Sequence, residues 1–162
     1  AEAVVGVEAV VTMLPNGGIV KKLYDEILPA TPTGALFIDS STISVDDARD
    51  IHQRATEHGF AQVDAPVSGG VKGAVAGTLA FMVGGEDEAF AAARTTLDPM
   101  AGKIIHCGAA GAGQAAKVCN NMVLAVQQIA VGRGVDQRPV VMLAVNFDKL
   151  PAGVAQDGTL TV

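Results

Sequence analysis

A lysine and an asparagine one helical turn apart are the residues whose types and spacing best suit catalysis. Lys117 and Asn121 lie in a segment rich in Ala, Val, Met and Leu, and residues four apart share one face of a helix. Burial among apolar neighbours lowers the pKa of a lysine, which can then act as an acid or a base. A surface lysine whose stem covers apolar neighbours, beside the solvated amides of Asn120 and Asn121, is the alternative, and these residues alone favour it.

A second candidate is a hydroxyl followed by two glycines, Ser68, Gly69 and Gly70. Backbone N–H groups that a ligand can approach closely, together with a hydroxyl, suit a carboxylate or a phosphate. The same residues are typical of the start of a flexible hairpin, and their spacing leaves both interpretations open.

Several other kinds of site are not supported by the sequence. Ser68 lacks the G-x-S-x-G elbow of a serine hydrolase. The two cysteines and three histidines do not have metal-ligand spacing, so no metal is expected. Residues 108–113 read G-x-x-G-x-G, which differs from the G-x-G-x-x-G fingerprint of dinucleotide-binding turns.

Composition limits the class of protein. The 162 residues are 49% hydrophobic, which fits one domain with a sizeable core. A formal charge of −6 without a Lys/Arg-rich block argues against a nucleic-acid partner. No apolar stretch reaches the roughly 18 residues of a membrane span. Two cysteines are too few for a disulfide scaffold, and we expect a cytoplasmic protein.

Apolar runs of four to six residues alternate with helical patterns, which predicts an α/β layer structure. We expect strands at residues 9–14, 35–38, 60–63, 79–83 and 103–107. We expect helices at residues 16–28, 44–58, 87–97 and 114–129, the first two capped by Asn16 and Ser44. Residues 68–78 read as a glycine-rich loop, and the pattern fails from Gly132 onward, where residues 132–134 halt the last helix. Beyond it, residues 140–145 are an apolar run and residues 151–162 are loop-like.

In open α/β sheets, ligands collect at the carboxyl ends of the strands. Four segments that follow predicted strands carry small polar residues and glycines: residues 14–16, 39–42, 64–70 and 108–113. Turn chemistry alone places many such residues there, so these segments remain candidates for either a turn or a site.

Taken in order, four segments resemble the β-hydroxyacid dehydrogenase family. They are residues 12–15 (TMLP), 38–42 (IDSST), 64–85 (opening DAPVSGG and ending GTLAFMVGG) and 111–121 (GAGQAAKVCNN). Four matches in the right order over residues 1–131 are specific, although each alone is modest.

The resemblance implies an α/β fold with an incomplete Rossmann-type dinucleotide-binding domain over residues 1–110. The start of the long interdomain helix of an all-helical domain follows at residues 111–131. It implies NAD as the cofactor, with NADP as the alternative. The implied substrate is a short hydroxy acid, 3-hydroxyisobutyrate in valine catabolism, oxidised to methylmalonate semialdehyde. A homo-oligomer is implied for the intact family member.

The resemblance also implies roles for individual residues. Residues of two strand ends would contact the nicotinamide half of the cofactor: Leu14, Pro15 and Thr42. Residues of the glycine-rich turn would hold the substrate carboxylate: Ser68, Gly69 and Gly70. Lys117 would be the catalytic residue, which takes the hydroxyl proton or stabilises the alkoxide, and Asn121 would orient the substrate.

Two features depart from the family pattern. Roughly 50 to 60 residues of the first βαβ unit, with its glycine fingerprint, have no counterpart here, so a strand edge is expected to be uncovered. After Val131 the family continues with an Ala-Glu-Ala stretch, whereas this sequence reads Gly132-Arg133-Gly134. One inserted G in the codons GCC GAG GCG gives this reading, so residues 132–162 are expected to be an aberrant, out-of-frame tail.

Alternatives to an active hydroxyacid dehydrogenase come from other classes. A non-catalytic scaffold relative of the family usually lacks the lysine, whereas Lys117 and Asn121 are both present. An inactive, frameshifted product is supported by the two departures. Related family members act on glyoxylate, succinic semialdehyde or tartronate semialdehyde, so the substrate within the family stays open.

Overall fold

The computed structural model describes residues 2–134, and the side chains of residues 2–129. Its strands are β1 (Ala9–Thr12), β2 (Leu36–Asp39), β3 (Ala61–Asp64), β4 (Val67–Ser68), β5 (Leu79–Gly84) and β6 (Ala101–Gly108). Its helices are α1 (Gly17–Ile27), α2 (Val45–Glu57), α3 (Gly70–Ala76), α4 (Asp87–Leu97) and α5 (Ala112–Gly134). This alternation confirms the predicted α/β class. The chain divides into two compact units, residues 1–121 and 122–162, and all the site residues discussed below lie in the first.

The described strands form one mixed sheet. β1, β2 and β3 are parallel neighbours. β3 and β4 are parts of one extended segment, and both pair antiparallel with β5. β6 is parallel to β5. Parallel pairing therefore dominates, as in a Rossmann-type domain, although the last two strands run in the opposite direction to the first three.

Apolar side chains cover both faces of the sheet. One core packs α1 and α2 on one face around Phe37, whose ring lies 5.1 Å from those of Tyr24 and Phe60. The other core packs α4 on the opposite face around Ile38, Val63 and Val83, which are fully buried. Side chains alternate between faces along a strand, so the all-apolar runs predicted from the sequence fill both cores.

The predicted caps of the first two long helices are confirmed. The Asn16 side chain accepts a hydrogen bond from the backbone N–H of Ile19 at 3.0 Å, and Ser44 accepts from Asp47 at 3.0 Å. Each bond satisfies one N–H that has no partner within its helix. The helices begin directly after β1 and β2, so their starts lie near the carboxyl ends of those strands.

The predicted loop over residues 68–78 is wrong, because the structure has β4 and the seven-residue α3 there. The glycines of this segment allow the backbone conformations and the close packing of an ordered structure. Gly69, before the helix, has φ 133°, and Gly77 closes it in the left-handed conformation at φ 64°. A Cβ on Gly73 would lie 3.3 Å from the Leu79 side chain, so this glycine allows close packing of α3 on β5.

The predicted bounds of the last helix are also corrected. The helix begins at Ala112 rather than Gln114, and residues 132–134, which were expected to halt it, are themselves helical. Gly111 accepts the backbone N–H of Ala115, which starts the helical hydrogen bonding two residues earlier than expected. The expected apolar run, loop and out-of-frame tail over residues 135–162 lie outside the described residues. None of the helices described is long and apolar enough to cross a bilayer.

The Tyr24→Phe variant is expected to lose less stability in alkali than the original chain. The Tyr24 hydroxyl is buried with no hydrogen-bond partner among the described residues, and burial, followed by the charge of Asp39, raises the pKa of Tyr24. The unfolded chain releases the Tyr24 proton near pH 10, whereas the folded chain releases it only at higher pH. The contribution of the neutral hydroxyl to the unfolding free energy is therefore complete below about pH 10 and is lost as pH rises through the raised pKa. At neutral pH the unfolding free energy should change by less than about 1 kcal/mol.

Denaturant unfolding followed by circular dichroism, at neutral pH and above about pH 10, measures this difference. Equal alkaline losses of stability in the two proteins would contradict it, because other groups that titrate in alkali are common to both.

Candidate active site

The carboxyl ends of five strands meet along one row across the sheet. Thr12 is paired with Asp39, Asp39 with Asp64, Asp64 with Gly84, and Gly84 with Gly108. β5 and β6 run antiparallel to the first three strands but end at the same row. The segments that follow these strands therefore start from neighbouring positions in the sheet.

Ser41 joins the loop after β1 to the loop after β2. Its hydroxyl donates to the Asp39 carboxylate at 2.6 Å and accepts the backbone N–H of Leu14 at 2.8 Å. Thr12 donates to the same carboxylate oxygen at 2.9 Å. These bonds fix the turn of Leu14 and Pro15 against the loop that carries Thr42. Two of the segments predicted to contact the cofactor are therefore adjacent.

Gln114 joins α5 to the loop after β2. Its side chain is fully buried, its amide nitrogen donates to the Ser41 carbonyl at 2.6 Å, and its oxygen accepts the Ile43 N–H at 3.2 Å. Thr42, which is exposed, lies between the two residues that Gln114 contacts. The first turn of α5 is thus held on the loop that carries Thr42.

Asp64 binds the start of α5 from the end of β3. Its two carboxylate oxygens accept the backbone N–H groups of Gly111 at 2.7 Å and Gln114 at 2.8 Å. Burial raises the pKa of Asp64, against the lowering effect of these two hydrogen bonds. A carboxylate therefore already occupies the positive end of this helix. This agrees with the sequence argument that residues 108–113 are not a phosphate-binding turn.

Lys117 is buried on the next turn of α5. Its side chain is 9% exposed, and none of the described residues offers it a hydrogen bond or an ion pair. Burial lowers the pKa of Lys117. Lys117 follows Gln114 by three residues and precedes the exposed Asn121 by four, so all three share one helix face. The alternative of a solvated surface lysine is therefore not what the structure has.

The Ser68, Gly69 and Gly70 turn lies farther along the sheet. Ser68 is half-buried and pairs with Ala80, while both glycines are exposed. Gly70, Met13 and Ser40 line one mainly apolar cavity of about 360 Å³. In the described part of the chain, no hydrogen bond joins this turn to α5. The structure thus brings the turn together with the ends of β1 and β2, and it links Lys117 to those ends by way of Gln114.

Asp64 and Gln114 hold the site together, and sequence reasoning missed both roles. Asp64 was recognised only as one of several polar residues after strands, and Gln114 only as part of a family-like segment. A weak signal existed for each. A carboxylate directly after an apolar strand and a glutamine in an apolar helix are both costly to bury without partners.

The described residues fit the nicotinamide half of a dinucleotide. Pro15 and Thr42 are exposed at the carboxyl edge of the sheet, where such cofactors bind, and their backbones are fixed by Ser41 and Gln114. A pyrophosphate needs unsatisfied N–H groups at a helix start. The starts of α1, α2 and α5 are capped by protein side chains, so these three helices do not provide it.

Comparison with known proteins agrees with this geometry. Residues 1–108 match the family described as the NAD binding domain of 6-phosphogluconate dehydrogenase. The chain is 66% identical over 130 residues to the probable 3-hydroxyisobutyrate dehydrogenase of Mycobacterium tuberculosis, a match that covers 80% of this chain and 44% of the relative. It is 50% identical over 131 residues to the NAD-dependent L-serine dehydrogenase of Pseudomonas aeruginosa, covering 79% of this chain and 44% of that relative.

A solved structure shows the same similarity in three dimensions. The structure of Mycobacterium tuberculosis 3-hydroxyisobutyrate dehydrogenase with L-serine matches at a TM-score of 0.80 and 65% identity, covering 82% of this chain and 46% of that one. The chain therefore spans less than half the length of these relatives. The resemblance to the β-hydroxyacid dehydrogenases noted from the sequence is confirmed. The chain belongs to the family described as the NAD binding domain of 6-phosphogluconate dehydrogenase.

Proposed function

We propose that this chain carries the catalytic lysine of a dehydrogenase that oxidises 3-hydroxyisobutyrate to methylmalonate semialdehyde, with NAD as hydride acceptor. One observation carries the proposal. Lys117 is a buried lysine without a charged or hydrogen-bonding partner among the described residues, and it lies on a helix fixed at the carboxyl edge of an NAD-binding sheet. An unpaired buried amine is unfavourable to keep, so it points to chemistry rather than to stability.

The mechanism follows from what each side chain can do. Oxidation of an alcohol removes a hydride from carbon and a proton from oxygen. When bound, NAD accepts the hydride. Lys117, whose pKa is lowered by burial, takes the hydroxyl proton as a neutral amine. Asn121, one helical turn away on the same face, hydrogen-bonds the substrate and limits its rotation.

The substrate carboxylate is proposed to bind at Ser68, Gly69 and Gly70. The exposed glycines leave their backbone open to close approach, and the Ser68 hydroxyl can donate a hydrogen bond. Leu14, Pro15 and Thr42 are proposed to contact the nicotinamide half. The cavity shared by Gly70, Met13 and Ser40 supports this arrangement, because it connects the proposed carboxylate turn with the end of the β1 strand.

The substrate is proposed to be a 3-hydroxy acid because the names of two relatives share that chemistry. The substrates named for them, 3-hydroxyisobutyrate and L-serine, both contain a primary alcohol, one intervening carbon and a carboxylate. They differ at that carbon, which carries a methyl group or an ammonium group. We favour the methyl compound, because a substrate ammonium would be repelled by the positive charge that Lys117 gains when it takes the proton.

The proposal also covers the cofactor, the cellular compartment and the oligomeric state. NAD is proposed over NADP because the name of one relative specifies NAD. A cytoplasmic, reducing compartment is proposed because Cys107 and Cys119 are both free and two cysteines are too few for a disulfide scaffold. A homo-oligomer is proposed because α5 exposes Met122, Leu124 and Ile129.

Formation of NADH from NAD by this chain tests the proposed function. We expect NADH to form with 3-hydroxyisobutyrate and, more slowly, with L-serine. The matched control is 2-hydroxyisobutyrate, which has a hydroxyl and a carboxylate but no hydrogen on the alcohol carbon, so it cannot give a hydride. Absence of NADH with both 3-hydroxy acids, or equal rates with the control, would contradict the proposal.

A further inference from the structure

We propose that Asp64 is a positioning residue for Lys117, which it holds in place through the first turn of α5. The inference rests on the proposed function, because it assigns Lys117 the proton transfer. Asp64 does not touch the reacting groups in this assignment. It acts by fixing the helix from which Lys117 extends.

The start of α5 has no local cap. Gly111 precedes the helix and has no side chain with which to accept the free N–H groups of the first turn. Asp64 supplies that acceptor from β3, 47 residues earlier for Gly111 and 50 earlier for Gln114. Each carboxylate oxygen takes one N–H, and the side chain is 1% exposed. The helix start is therefore fixed to the sheet at two points by a single residue.

Two glycines allow this close approach. A Cβ on Gly84 would lie 2.5 Å from one Asp64 carboxylate oxygen, and a Cβ on Gly113 would lie 2.7 Å from the other. The Gly113 Cβ would also overlap the carbonyl oxygen of Met82. The carboxylate is thus enclosed between the last residue of β5 and the second residue of α5, a geometry that leaves little freedom for the helix start.

The position of Lys117 follows from that of the helix start. Lys117 is three residues after Gln114, whose N–H is bound by Asp64 and whose side chain is bound to Ser41. Burial is the sole cause of the lowered pKa of Lys117. If the first turn moves away from the sheet, the amine gains solvent and its pKa returns toward the ordinary value for lysine.

The Asp64→Asn variant isolates this contribution. The asparagine side chain has the size of the carboxylate but offers one acceptor oxygen. Its NH₂ group would face one of the two backbone N–H groups and cannot accept a hydrogen bond from it. We expect the pKa of Lys117 to rise toward the ordinary lysine value, as measured by NMR titration of ¹³Cε-labelled lysines. The Thr31→Val variant is the matched control, because it removes a buried hydrogen bond to the Ile27 carbonyl, remote from α5, and should leave the Lys117 pKa unchanged.

A second measurement on the unmodified chain covers the case in which Asp64→Asn does not fold. Hydrogen exchange at the Gly111 amide should be slow, because its N–H precedes the helix and is protected by Asp64. Fast exchange at Gly111 in the unmodified chain would overturn the proposal. So would a folded Asp64→Asn variant whose Lys117 pKa is unchanged, or an equal shift in Thr31→Val.

The kinetic consequence separates this proposal from the proposed function. In NADH formation, Asp64→Asn should lower kcat by about tenfold to a hundredfold, as a displaced catalytic group does, with little change in KM. If the unmodified chain forms no NADH, the proposed function fails, while the NMR and exchange results still decide the role of Asp64. An unchanged kcat together with a shifted Lys117 pKa would overturn the kinetic part alone.

Discussion

Alanine at Gly113 is expected to lower the unfolding free energy by about 3 kcal/mol or more, the upper range for forcing an extra methyl into a packed site. The new Cβ would overlap the Met82 carbonyl oxygen and lie 2.7 and 2.8 Å from two Asp64 oxygens. These neighbours are backbone atoms and a carboxylate enclosed by hydrogen bonds, so none can move cheaply. The first turn of α5 must shift away from the sheet. Denaturant unfolding followed by circular dichroism measures the loss.

Gly18→Ala is the matched control for this prediction. Gly18 and Gly113 are each the second residue of a helix, so an alanine restricts the unfolded chain equally at both. At Gly18 the new Cβ would meet its nearest neighbour, the Asn16 side chain, at 3.4 Å. We expect a stability change between zero and a gain of about 1 kcal/mol there. Equal stability of the Gly113→Ala and original proteins would show that α5 does not start on the sheet as described.

Features of the fold that depend on near neighbours in sequence could be predicted. Asn16 and Ser44 cap helices through hydrogen bonds three residues away, and an apolar run such as that of β2 is recognisable without knowledge of its partners. The direction of β5 could not be predicted, because it depends on pairing with the distant residues 64–68. The helix α3 was missed because glycine is a poor helix former, and packing of Gly73 on Leu79 overrides that preference.

The candidate site shows the same division. The loops that follow the strands were identified from their positions, since parallel strands end at one edge, and the last two strands ended in the same row. The long-range hydrogen bonds of Asp64 and Gln114 were not foreseen, because they join residues 47 to 73 positions apart. The sequence thus indicates which residues gather, whereas the atoms that hold them together are visible only in three dimensions.

Replacing Lys117 by methionine is expected to lower kcat/KM for 3-hydroxyisobutyrate by about 10²- to 10⁴-fold, the usual contribution of a positioned acid or base. Methionine has a similar length and suits a buried position, so the fold should be retained. Because the variant no longer buries an unpaired amine, its thermal midpoint should be equal to or above that of the original chain. A purely structural role for Lys117 predicts the opposite, namely a less stable protein.

Lys22→Met is the matched control, because Lys22 is exposed on α1 and outside the proposed site; its kcat/KM should match that of the original chain. The pH dependence of the original chain gives a further check. Lys117 accepts a proton only as the neutral amine, and burial lowers its pKa, so kcat/KM should rise with pH through a value below the ordinary lysine pKa of about 10.4. Retention of activity and of this pH dependence in Lys117→Met would assign the proton transfer to another group and contradict the proposed mechanism.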